Sequence, residues 1–187
     1  MVTDLLRKRS KMKGIVFTEF LQLVEDKFGL EEVDALIEES GVSGIYTSVG
    51  TYDHSEMVEL LQTLSARHSA PIPDLLKTFG EHLFGRFYVL YPQFFKDIHG
   101  SFDFLSKIDV YIHQEVQKLY PDAELPRFDC AQPQPNRLLL YYYSTRHLED
   151  LAEGLIQGAL AHFNDGVVLS QRIEEKDHIT FELKKIQ

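Results

Sequence analysis

The chain has 187 residues, 44% of them hydrophobic and 26% charged, which suits one globular domain with a sizeable core. Its net charge of −10 argues against nucleic acid or an anionic membrane as the main partner. The single cysteine, Cys130, excludes an internal disulfide, a Cys-rich zinc site and a C-x-x-C-H haem attachment, and fits a reducing cytoplasm. No apolar run approaches the roughly 18–20 residues that span a bilayer. Thirteen Phe and nine Tyr with no Trp either fill a core or line an apolar pocket for a flat ligand.

Residues 1–11 place basic side chains after an apolar patch, the reverse of a secretory signal, and read as a short N-terminal extension. Ile15, Phe17, Phe20, Leu21, Val24 and Phe28 then recur at helical spacing until Gly29 ends the pattern. A second helix is expected over Glu31 to Glu39, with Val33, Leu36 and Ile37 on one face, and Ser40 to Ser48 reads as a loop. Met57, Leu60, Leu61 and Leu64 mark a helix from His54 to Ser65, with Ser55 as its cap. Pro71-Ile72-Pro73-Asp74 opens another, carrying Leu75, Leu76, Phe79 and Leu83 and closing at Tyr91-Pro92.

Phe102 to Leu119 reads as one long helix with the stripe Phe104, Leu105, Ile108, Ile112, Val116 and Leu119, stopped by Pro121. The period then changes. Arg127 to Ala131 and Arg137 to Tyr143 read as strands, Leu148 to Phe163 as a helix, and Gly166 to Ile173 with His178 to Lys184 as a closing hairpin. Helices followed by a small antiparallel sheet with one inserted helix make an α+β fold. The acids Glu149, Asp150 and Glu153 read as a solvated face at a helix start, and Cys130 as a buried strand cysteine.

Two features carry chemistry. Tyr142, Ser144 and Arg146 alternate, and on a strand such side chains share a face about 6–7 Å apart. Two hydroxyls and a guanidinium could cradle a doubly anionic group, though the pattern equally describes a half-buried strand running into a helix cap. The second is His113, beside the apolar stripe of the long helix. It reads either as a partly buried structural histidine or as a metal or haem-iron ligand.

Four segments resemble one family, in order and in register. Met12-Lys13-Gly14-Ile15-Val16-Phe17 is similar to the start of the haem nitric oxide/oxygen binding (H-NOX) domain, the bacterial relative of the soluble guanylate cyclase haem domain. Val110-Tyr111-Ile112-His113-Gln114-Glu115-Val116, with Lys118-Leu119-Tyr120-Pro121 after it, resembles the family's proximal-histidine helix. Tyr142-x-Ser144-x-Arg146, 29 positions downstream of the histidine, resembles its propionate motif, and Pro126 sits where the family packs a proline on the haem.

The resemblance implies one H-NOX domain over residues 12–187, a helical part to about 121 and a sheet-bearing part from about 122, with non-covalent haem b between them. It implies His113 as the iron ligand and Tyr142, Ser144 and Arg146 on the propionates. Oxygen-binding members carry a tyrosine five residues beyond the motif's arginine, and here that position is Leu151. The positions that would assist it are Phe20 and Leu83. A hydrogen bond to a charged acceptor is worth about 1.5–3 kcal/mol, roughly one to two decades of affinity. An apolar pocket therefore penalises oxygen more than nitric oxide or carbon monoxide. His82, Tyr88 and Tyr91 are the nearby polar side chains that could alter this.

The expected function is a non-enzymatic, cytoplasmic nitric oxide sensor. It would signal through release of the proximal histidine to a partner in trans, a histidine kinase or cyclic-di-GMP enzyme. The alternatives are an oxygen-binding haem sensor, a peroxidase-like haem enzyme, which would want a distal His or Arg, and a haem-free adaptor with a structural His113.

Overall fold

A computed structural model describes residues 10–186, in two compact units that meet in the sequence at Ala70 and Pro71. Residues 1–9, most of the expected extension, lie outside the described residues. In the first unit a short strand β1 (Lys11–Lys13) leads into α1 (Gly14–Phe28) and α2 (Leu30–Ser40); β2 (Thr51–Asp53) then leads into α3 (His54–His68). The pairing of β1 with β2 (Met12 opposite Tyr52) was not expected, since three-residue strands are too short for alternation to show. Gly14 explains part of the motif at the chain's start. A Cβ there would lie 1.9 Å from the Thr47 carbonyl oxygen and 2.7 Å from the Tyr52 ring, so only glycine lets the backbone pass.

Phe17, Phe20, Val24, Leu36, Met57, Leu60, Leu61 and Leu64 are buried, as the helical stripes require. The cap of α3 is Asp53, not Ser55: Asp53 Oδ1 accepts from the Ser55 amide at 3.0 Å and from its hydroxyl at 2.8 Å. Helices α2 and α3 are clamped by Arg67, whose Nε and Nη2 each reach Glu32 at 2.7 Å, with Glu39 on Nη1 and His68 Nε2 2.8 Å from Glu32. The Arg67 fork outweighs burial and, with His68, holds the Glu32 carboxyl at about 2. A depressed carboxyl stabilises the fold above its unfolded value of 4.5 and loses that contribution as pH falls towards 2. Glu32→Gln should therefore flatten the acid arm of the stability profile between pH about 4.5 and 2. Urea midpoints that fall in parallel for both proteins across that window would contradict this.

The second unit begins with α4 (Ile72–Leu90), followed by a 3-10 turn (Pro92–Phe95) and α5 (Ser101–Ser106). Next come a π-helical turn (Ile108–Ile112) and α6 (His113–Leu119). The expected single helix from Phe102 to Leu119 is thus interrupted. Within the wide turn the amides of Ile112 and His113 reach back five residues, to Lys107 and Ile108. One extra residue per turn delays the helical phase by about one position. His113 thereby takes the direction that an unbroken helix would give Ile112. Asp165 anchors the start of this segment, accepting from the Ser101 amide at 3.0 Å and hydroxyl at 2.7 Å.

The sheet runs in the order β3 (Arg127–Gln134), β4 (Arg137–Tyr143), β6 (Ile179–Lys185), β5 (Val167–Glu174), antiparallel throughout, with α7 (Glu149–Phe163) inserted between β4 and β5. Alternation sets the inner face: Leu138, Leu140 and Tyr142 of β4 are buried with Phe181 and Leu183 of β6. Cys130 is exposed rather than buried, because β3 is an edge strand.

Helices α4 and α7 touch backbone to backbone. A Cβ on Gly154 would lie 2.2 Å from the Lys77 carbonyl oxygen, and one on Gly80 2.4 Å from that of Leu151. Glu153 is buried there, which corrects its reading as a solvated side chain. It meets Lys77 Nζ at 2.8 Å and Arg172 Nη1 at 3.1 Å, while Asp150 takes the same Arg172 nitrogen at 2.6 Å. Such a carboxylate is tolerated inside because two cations accompany it. Among the described residues no helix is long and apolar enough to cross a membrane.

Candidate functional site

His113 opens α6 immediately after the wide turn, with its side chain 16% exposed. Its Nδ1 lies 3.2 Å from Asp109 Oδ1. An aspartate carboxylate only accepts, so Nδ1 carries the proton and the lone pair is left on Nε2. Burial lowers the imidazole's proton affinity and outweighs the opposing pull of Asp109, which favours the neutral ring. A neutral imidazole with its orientation set by a carboxylate is the form in which histidine binds metals. The His113 ring is 5.8 Å from that of Phe128 on β3. Phe128 in turn is 5.2 Å from Tyr142, its register partner on β4.

Strand β4 ends at Tyr143, so only Tyr142 of the alternating motif stands on the sheet. Ser144 and Arg146 belong to the turn that leads into α7, where the Ser144 hydroxyl accepts from the Arg146 amide at 3.1 Å. The following residue, His147, has φ of 53°, a sharp reversal that the alternation pattern could not show. Tyr142 is 4% exposed, and burial raises its phenol while the Ser144 hydrogen bond pulls the other way. Arg146 Nη2 donates to the Glu124 carbonyl at 2.6 Å and lies 3.4 Å from its carboxylate. The motif's three polar groups therefore stay together by a turn rather than by a strand edge, and the guanidinium already addresses a carboxylate. Pro126, half-buried, directly precedes β3.

Leu83 on α4 and Leu151 on α7 are buried, 2% and 8% exposed, and flank the glycine crossing. Phe20, 1% exposed, belongs to the other unit. His82 is half-buried. Tyr88 packs its ring on His162 and Phe95, and the Tyr91 hydroxyl is 3.0 Å from that of Tyr120. Sequence reasoning overlooked Asp109 and Phe128. The signal available was an acid four residues before the histidine, a spacing that brings two helical side chains together.

The family model for haem-NO-binding domains matches residues 13–171. A comparison with curated proteins found no match. Among solved structures, the chain is similar to the unliganded Fe(II) H-NOX protein from K. algicida, with 43% identity over 94% of this chain and 97% of that one and a TM-score of 0.84. The H-NOX from Shewanella woodyi, solved in its Fe(II)CO state, shares 40% identity over 94% and 95% of the two chains, at a TM-score of 0.82. The S. oneidensis H-NOX protein in the Fe(II)NO state shares 28% over 94% and 100%, at 0.88. The chain belongs to the haem-NO-binding (H-NOX) family of haem-based gas sensors.

Proposed function

We propose that this chain is a nitric oxide sensor that holds haem b through His113, binds nitric oxide and carbon monoxide at the ferrous iron, and disfavours oxygen. The observation that carries the reading is His113 itself, half-buried, with Nδ1 turned to the Asp109 carboxylate so that the Nε2 lone pair is left available. The other residues fit the same group. Tyr142, Ser144 and Arg146 supply two hydroxyls and a fork suited to propionate carboxylates. The Phe128 ring offers apolar surface beside Tyr142 and His113, and Pro126 precedes it by two residues.

When bound, the haem would supply a ferrous iron able to take a diatomic gas, and His113 would hold it. Leu83 and Leu151 offer no hydrogen-bond donor, so oxygen, which becomes partly negative when bound, would gain nothing from them. Nitric oxide and carbon monoxide need no donor. His113 would hold the haem and would be the group able to move, since a ligand shifts a conformational balance only by binding two states unequally, and nitric oxide would favour the state with His113 released. Release would free the start of α6 from Asp109 and Phe128, the partners that His113 meets. The output passes to a separate partner, a histidine kinase or cyclic-di-GMP enzyme, and the domain itself performs no catalysis.

Absorption spectra of the ferrous protein in argon, air, carbon monoxide and nitric oxide test this. The expected result is no stable complex in air, a carbon monoxide complex, and a five-coordinate spectrum under nitric oxide. A persistent oxygenated spectrum would favour the oxygen-sensor alternative, and a solely six-coordinate spectrum under nitric oxide would exclude histidine release.

A further inference from the structure

One oxygen of Asp109 serves two donors on two different elements. Oδ1 lies 3.2 Å from His113 Nδ1, four residues on, and accepts from the backbone amide of Phe128 at 3.1 Å, nineteen residues on. The first contact fixes the imidazole. The second fastens the π turn to the first residues of the edge strand β3. Phe128 also carries the ring that stands in sequence between His113 and Tyr142. The carboxylate borders a groove of about 450 Å³ shared with Val110, Phe128 and Cys130, and its side chain is 38% exposed.

We propose that Asp109 is the positioning residue of the proximal imidazole. It fixes the ring's tautomer and angle, strengthens the His113–iron bond, and ties that bond to the start of β3 through the shared oxygen. The inference rests on the haem reading given above. A charged acceptor on Nδ1–H moves electron density towards Nε2 and makes it a stronger donor to a metal, and outer partners of this kind alter metal affinity by about 10–100-fold. Neutralising Asp109 weakens the bond that nitric oxide must break, so release becomes easier. Because the same oxygen holds the Phe128 amide, a change in the imidazole's grip is felt at β3 without passing through solvent.

The test uses the full chain loaded with ferrous haem, as wild type, Asp109→Asn, Asp109→Ala and His113→Ala. In Asp109→Asn the carboxamide can still accept the Phe128 amide, so the fold is expected to stand. The iron–histidine stretching frequency in resonance Raman spectra should fall. The five- to six-coordinate ratio under nitric oxide should rise by about ten-fold. Exchange of the Phe128 amide should quicken, most in Asp109→Ala. A purely structural aspartate would change the amide exchange and leave the vibrational frequency alone. An unchanged frequency and coordination ratio in both Asp109 variants, with His113→Ala having lost its histidine-ligated spectrum, would overturn the positioning role and spare the haem reading. An unchanged spectrum in His113→Ala would overturn both.

Discussion

Replacing His113 by alanine is expected to lower the haem-to-protein ratio of the purified chain by more than about ten-fold, the scale already seen for loss of a ligand's outer partners. The side chain owes its aptness to three things acting together. The wide turn aims it, Asp109 faces Nδ1, and partial burial disfavours the protonated ring, which lessens competition by a proton for Nε2. None of Tyr142, Ser144, Arg146 or Pro126 offers a soft or imidazole donor to take its place. Adding free imidazole to His113→Gly should restore colour, since it returns the donor without the tether. The pyridine haemochrome assay gives the ratio, and circular dichroism checks that the colourless protein is still folded. Undiminished haem in a folded His113→Ala would remove the ligand assignment.

The largest stability effect is expected at the crossing of α4 and α7. Gly154→Ala would set a methyl 2.2 Å from the Lys77 carbonyl oxygen and 2.8 Å from its Cα, atoms that belong to a helix backbone and cannot rotate aside. The helices must separate, which costs about 3 kcal/mol, the upper end of the usual overpacking penalty. For a chain of this size that lowers Tm by roughly 6–12 °C. Gly80→Ala should behave alike, and the double variant should cost less than the sum, because one separation relieves both clashes. Gly85→Ala on the same α4 is the control. Nothing lies within 4 Å of its Cβ, so helix propensity alone acts and the change should stabilise by about 0.5–1 kcal/mol. Equal melting temperatures for Gly85→Ala and Gly154→Ala would contradict the close crossing. Leu83 and Leu151, the proposed gas-side residues, flank this contact, so on that proposal Gly154→Ala should also disturb gas binding.

Most of the helices were legible because their stripes are long and regular: α1, α3, α4 and α7 lie within a few residues of their expected ends. Strand β4 was legible for the matching reason, a clean alternation of buried and half-buried residues. What escaped has physical causes. Strands β1 and β2 are too short to alternate. The π turn has no compositional mark, since it is a matter of which carbonyl an amide selects. Glu153 looked solvated because its two cations, Lys77 and Arg172, come from distant parts of the chain. The residues of the candidate site could be named from motif order, but the angle of His113 and its tie to Asp109 and Phe128 required the fold.

The surplus residue before His113 also bears on how this site can be recognised elsewhere. Removing one position between Ile108 and Ile112 would tighten five-residue spacing to the ordinary four, and the imidazole would still look the same way. The interval of 12 from Ser101 to His113 is therefore elastic by one while the 29 from His113 to Tyr142 is untouched, and a homologue with 11 could hold an equivalent ligand. Searches keyed to a rigid interval would miss it, whereas the acid–histidine pair would survive the shortening only if the aspartate lay outside the deleted step.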